Sequence, residues 1–129
     1  MQNYCTLYIV RHGETEWNVK KIIQRHEDIP LNNKGETQAK ELAKKLRHIK
    51  FDAIFSSDLI RAKRTAEIIS LEKKIVVQTA KALKERYFGK YQGKSFAVNN
   101  EMTKLINNLI MFSGPGLREV ESDENIILR

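Results

Sequence analysis

The chain has 129 residues, which fits one domain with one core, spanning 1–129. Its formal net charge of +7 points to nucleic acid or to a small anionic substrate, and its single cysteine excludes an internal disulfide. No apolar stretch approaches the length of a membrane span and no basic-then-apolar leader opens the chain, so a cytoplasmic protein with no membrane partner is the default expectation.

Tyr4 to Arg11 reads as a strand. Its continuous apolar run, Leu7 to Val10, suits a central strand covered on both faces, and Cys5 reads as a small buried thiol within it. Thr15 to Ile23 reads as a short helix, and Gln24 to Asn33 as a polar loop holding Pro30. Lys34 to Ile49 is the clearest helix, with Ala39, Leu42, Ala43, Leu46 and Ile49 on one face and Asn33 as its N-cap. A second short buried strand follows at Ala53-Ile54-Phe55, then a helix from Leu59 to Leu71 with Ala62, Thr65, Ala66 and Ile69 inward, then a third strand at Ile75 to Gln78. This alternation argues for a parallel α/β sheet. Lys84 to Lys94 reads as a loop. Residues 97–112 read as a helix, Ser113-Gly114-Pro115-Gly116 as a breaker, and Ser122 or Asp123 as the cap of a further helix.

The charge is distributed as a solvated surface rather than as a nucleic-acid stripe. Glu36 lies four residues before Lys40 and Glu41 four before Lys45, and no basic run interleaved with aromatics stands out. A small anion is therefore the expected partner, and no nucleic acid. Arg11-His12-Gly13 supply a cation, an imidazole and a glycine at a strand-to-helix junction, where free backbone N–H groups and a helix N-terminus suit phosphate. A histidine so placed can act as a nucleophile toward phosphorus.

The run Arg11-His12-Gly13-Glu14-Thr15-Glu16-Trp17-Asn18 resembles the signature of the histidine phosphatase superfamily, the phosphoglycerate-mutase-like enzymes. Further matches come in the family's order: Asp28-Ile29-Pro30-Leu31-Asn32 with Lys34-Gly35 and Gln38-Ala39, then Ser56-Ser57-Asp58-Leu59-Ile60-Arg61-Ala62 with Thr65-Ala66, then Leu83-Lys84-Glu85-Arg86-Tyr87-Phe88-Gly89 with Gly93. The resemblance implies a three-layer α/β/α fold with a mainly parallel sheet. It implies that His12 attacks phosphorus, and that Arg11 and Arg61 clamp the phosphate oxygens with paired, charge-assisted hydrogen bonds. Asn18 would add a neutral donor, and Gly13 would let the backbone turn tightly beside the anion. Glu85 would protonate the leaving oxygen and then take a proton from water. The arginines do the charge neutralisation, so no metal and no cofactor is expected.

Each residue has a plainer reading. A histidine after a strand is ordinarily a surface or capping group, Arg61 a solvated helix charge, and Glu85 a salt-bridge residue between Lys84 and Arg86. Family order lifts all three above that reading. Glu14 and Glu16 read as stabilisers of a helix N-terminus, Trp17 as packing, and His26 and His48 receive no role.

Two departures from the family stand out. No histidine follows His48, whereas the family carries a second one on a later strand that lies between the first two. Losing such a donor from a preorganised site costs about 100- to 1000-fold in rate. The expected sheet thus lacks its C-terminal strands, and its open edges either pair directly, take up another copy of the chain, or mark a fragment of a longer product. No turn or cap closes the end, which favours the fragment. The other departure is Gln24-Arg25, where many relatives have glycine in the second position; a side chain there would crowd the substrate mouth.

The leading expectation is a phosphomonoester hydrolase acting through a phosphohistidine on a small phosphorylated metabolite. Only 27 residues separate Gly93 from Glu121, shorter than in mutase relatives, yet phosphoglycerate mutase-type transfer stays open. So does a catalytically impaired phosphate-binding fragment.

Overall fold

The computed structural model describes residues 5–85 and 92–95. The expected helices at 97–112 and beyond 122 lie outside them.

Helix α1, Glu16–Val19, is a single turn held at its start by a reciprocal cap. The Asn18 backbone N–H donates to the Thr15 hydroxyl at 3.2 Å, and the Thr15 N–H donates to the Asn18 amide oxygen at 3.0 Å. Helix α2, Asn33–Leu46, starts one residue earlier than the sequence suggests. Its cap is Asn32, whose amide oxygen accepts the Gly35 N–H at 2.8 Å. Strand β1, Ile54–Ser56, leads into helix α3, Ile60–Leu71, and strand β2, Val77–Thr79, returns parallel to β1. Ile54 faces Val77, Phe55 faces Gln78 and Ser56 faces Thr79. This is the parallel β-α-β unit that the alternating pattern predicts. A 3-10 turn at Lys81–Leu83 then carries the chain to Glu85.

The core lies between α2 and α3. Ala39 and Ala43 of α2 are buried, as are Ala66, Ile68 and Ile69 of α3 and Ile23 of the preceding loop. Small residues on α2 let the two helices approach closely. Their ends are joined by Lys73, whose ammonium donates to the carbonyls of Leu46, Arg47 and Ile49 at the end of α2 and lies 5.0 Å from the centre of the Phe51 ring. A cation here meets carbonyls that the helix leaves unbonded and the negative end of its dipole.

The first expected strand is corrected. Residues 5–11 join no β-ladder, and the run expected to be fully buried is open to solvent, with Leu7 77% and Ile9 92% exposed. Cys5 is likewise exposed rather than buried. Its apolar pattern encodes a strand covered on both faces, and among the described residues neither a neighbouring strand nor a covering layer reaches it. Among the described residues, Tyr8 of this segment packs edge-on against Phe51, with ring centres 5.3 Å apart. The short helix expected over Thr15–Ile23 also shrinks to α1, because Ile22 turns away to bridge Ser95 in antiparallel fashion.

Gly13 and Gly35 meet backbone to backbone. A β-carbon on Gly35 would lie 2.1 Å from the Glu14 carbonyl oxygen, and one on Gly13 would lie 2.4 Å from the Gly35 carbonyl oxygen. This contact seats the N-terminus of α2 against the Arg11–Thr15 segment. Glu14 reinforces it by accepting from Asn32 at 3.0 Å and Lys34 at 3.1 Å. Gly35→Ala should therefore destabilise the chain by about 1–3 kcal/mol, the usual range for overpacking a tight contact. Urea unfolding of the two proteins measures the difference.

Candidate active site

Among the described residues, three polypeptide segments converge on the carboxylate of Glu85. His12 comes from the turn before α1, Arg61 from the first turn of α3, and Arg25 from the loop between α1 and α2. Glu85 Oε1 lies 3.5 Å from His12 Nε2 and 3.8 Å from Arg61 Nη2. Its other oxygen, Oε2, accepts from Arg25 Nη1 at 3.0 Å.

The imidazole is oriented by its own neighbour. His12 Nδ1 lies 2.7 Å from the Gly13 carbonyl oxygen. A carbonyl only accepts, so Nδ1 carries a proton and Nε2 faces the carboxylate. Gly13, expected to let the backbone turn tightly beside the anion, permits a close approach of the Gly35 backbone. Its N–H donates to the Thr65 hydroxyl at 3.1 Å and is spent there, so its service is to hold His12 and to permit the Gly35 contact.

Arg61 is fully buried. Its Nη1 donates to the Glu27 carbonyl at 2.7 Å and its Nη2 to the Arg25 carbonyl, so two of its donors fasten the loop before α2. Its Nε has no acceptor among the described residues. Burial pushes the guanidinium below its ordinary pKa, opposed by the charges of Glu85 and Asp28, with Arg25 adding to the downward push. Helix α3 is aligned by the same loop: Asp28 accepts the Ile60 N–H at 2.6 Å, and the Ser57 hydroxyl accepts the Leu59 N–H at 3.2 Å. Leu59 itself offers no side-chain cap, so Asp28 supplies from a distance what the local sequence lacks.

Asn18 is half-buried, and its amide oxygen is held by the Thr15 N–H. The NH₂ end is thereby left as the group that can meet an anion. Arg11 is exposed, one residue before His12. The two residues expected at the substrate mouth separate. Gln24 is buried and its amide oxygen accepts from the Thr15 hydroxyl at 2.9 Å, so it braces α1 instead of lining a mouth. Arg25 remains half-exposed, and its backbone has a φ of 38°, in the left-handed region. A β-carbon there costs about 1–2 kcal/mol, which explains why glycine suits the position.

His26 had no expected role, yet its ring Nε2 donates to the Glu85 carbonyl oxygen and its N–H donates to Gln92 at 3.2 Å. It positions the main chain at Glu85. The only sequence signal was its place beside Arg25. Trp17 packs as expected, its ring 3.6 Å from where a β-carbon on Gly93 would sit.

Contact with the His12 ring, followed by the charges of Arg25 and Arg61, holds the Glu85 carboxyl down to about 2, against the upward push of partial burial. A carboxyl depressed in the folded state contributes stability above its unfolded pKa of about 4.5 and loses it as pH falls toward about 2. The chain should therefore weaken over that window, and Glu85→Gln should weaken less. Urea midpoints compared at about pH 5 and about pH 3 read this directly.

This α/β chain gathers an imidazole, two guanidinium groups and a carboxylate before the N-terminus of a helix, a set of groups with the chemistry to meet a small oxyanion. The chain is a member of the histidine phosphatase superfamily (branch 1), which residues 7–122 match. It is 43% identical over 93 residues to phosphoglycerate mutase-like protein 4 of Arabidopsis thaliana, covering 70% of this chain and 40% of that protein. It is 42% identical over 96 residues to the broad-specificity phosphatase YOR283W of Saccharomyces cerevisiae, covering 70% and 42%. Among solved structures it resembles a mycobacterial glucosyl-3-phosphoglycerate phosphatase in complex with VO3, with a TM-score of 0.81 and 28% identity over 91% of this chain and 56% of that one. The chain thus spans about two fifths of the length of these curated relatives.

Proposed function

We propose that the chain carries the phosphoryl-accepting half-site of a phosphomonoester hydrolase acting on a small phosphorylated metabolite. The observation that carries this reading is the placement of His12 Nε2 and Glu85 Oε1 3.5 Å apart, with the other ring nitrogen committed to the Gly13 carbonyl.

That geometry supports a simple division of protons. Nε2 must be bare to attack phosphorus, and Glu85 must be protonated to serve the leaving oxygen. In the ligand-free site Glu85 is ionised. A phosphate dianion entering beside it claims the positive charge of Arg61 and raises the affinity of Glu85 for a proton. Glu85 then takes up a proton from solvent or from the entering monoester, while the Nδ1 proton held by Gly13 leaves Nε2 bare, so both groups are prepared. Nε2 then bonds to phosphorus, the phosphorus–oxygen bond of the ester breaks, and the departing oxygen takes the Glu85 proton. Water next gives a proton to Glu85 and its oxygen to phosphorus, the phosphorus–nitrogen bond breaks, and inorganic phosphate leaves. Arg11, Arg61 and the Asn18 NH₂ hold the oxygens throughout, worth several-fold more as charged pairs in a partly buried site than in water. No step calls for a metal or cofactor.

Two related readings rest on the same residues. Transfer to a second substrate instead of water would make the activity a mutase; 52% identity over 64 residues to the probable phosphoglycerate mutase GpmB of Salmonella choleraesuis supports it. Phosphate binding without turnover would call only on Arg11, Asn18 and Arg61. The reading also takes the protein as cytoplasmic, where a lone exposed thiol such as Cys5 stays reduced, and as able to self-associate along the open Leu7–Val10 segment.

Trapping separates these readings. The chain incubated with an aryl phosphate and quenched in base should carry phosphate on His12 by mass spectrometry, and His12→Ala should carry none. Glu85→Gln should slow labelling by about 100-fold or more, in line with loss of a general acid. Bound phosphate with neither label nor released phenol would leave only the binding reading standing.

A further inference from the structure

Arg25 joins two features that seldom occur together. Its main chain adopts a φ of 38°, which a side chain disfavours, and its long cationic side chain is nonetheless kept and docked on the Glu85 carboxylate. The left-handed turn also directs its carbonyl oxygen to the buried Arg61, so both ends of the residue are fixed by the site. Its guanidinium is neither a surface charge nor part of the buried clamp: the side chain is 32% exposed, against 0% for Arg61.

The two oxygens of Glu85 divide the site. Oε1 faces His12 and Arg61, the side on which phosphate is expected, and Oε2 faces Arg25. On the reading above, Glu85 serves the leaving oxygen. Arg25 therefore stands beyond that oxygen, next to the alcohol part of the ester. A planar fork of donors in this place matches a second oxyanion bidentately. It also has a reason to let go of Glu85, since a carboxylate held by Arg25 resists the proton that an acid must carry.

We propose that Arg25 is a specificity residue, exchanging its guanidinium from Glu85 Oε2 onto a second anionic group, a carboxylate or phosphate, on the alcohol portion of a phosphomonoester substrate. Esters with that group both gain a charged pair and release Glu85. Esters with a neutral alcohol leave the Arg25–Glu85 pair in place.

This inference rests on the proposed phosphotransfer, and the experiment keeps the two apart. Benzylphosphonate, 3-carboxybenzylphosphonate and 3-phosphonobenzylphosphonate cannot be turned over and differ only in the second group. Titrated calorimetrically into the full chain, the two probes with a second anionic group should bind about tenfold or more tighter than benzylphosphonate, the scale of one charged hydrogen-bonded pair. Arg25→Gly should bring the ratio close to one, in a backbone conformation that glycine favours; Arg25→Lys should keep part of it. The carboxylate and phosphonate probes decide which second anion is preferred. Equal affinities in the unaltered chain, a ratio that survives Arg25→Gly, or no binding of any probe overturns the proposal. His12 labelling by phenyl phosphate is followed alongside. Labelling without an Arg25-dependent ratio sinks this inference and leaves the phosphotransfer reading; the ratio without labelling overturns both as stated, leaving Arg25 to select anions only in the phosphate-binding reading.

Discussion

A guanidinium sealed from solvent must be met by acceptors, and Arg61 meets them from elements far apart in the chain. It rides on α3, yet binds the carbonyls of Arg25 and Glu27 and faces the Glu85 carboxylate. The loop before α2, the first turn of α3 and the segment after β2 are thus positioned around one side chain. Asp28 returns the favour by closing the N-terminus of α3. Substituting Arg61 would remove a charge from the site and also unfasten the loop that carries Arg25.

Around that cation the site divides its labour between rigid and responsive groups. His12 is rigid, oriented by its bond to Gly13, whose own N–H is fixed by Thr65 of α3. The Gly13–Gly35 contact presses this turn against α2. Glu85 is responsive, because its charge depends on the His12, Arg25 and Arg61 groups beside it. Preorganised donors with one adjustable proton carrier is an arrangement suited to stabilising charge that develops and then moves.

Much of this was legible in the sequence, for identifiable reasons. Helix α2 shows its face through Ala39 and Ala43, and the β-α-β unit shows itself through alternation of period, because both signals are local. The meeting of His12, Arg61 and Glu85 was legible only through the order of family motifs. Three features were not legible. The Leu7–Val10 run has the composition of a covered strand, but cover is supplied by other parts of a fold and its presence cannot be read from the run itself. The glycine at position 13 signals a special backbone, without revealing whether an anion or another backbone approaches. Gln24 and Arg25 are chain neighbours that part company, one bonded to Thr15 and the other to Glu85, at a left-handed turn that composition does not announce.

That turn has a genetic consequence. Every arginine codon becomes a glycine codon by a single first-base change. At position 25 such a change would relieve the backbone, so mutation is continually offered an easier main chain. An arginine with no task would be lost there by drift toward the relaxed residue. Were Arg25 retained across descendants, that retention would record selection on charge.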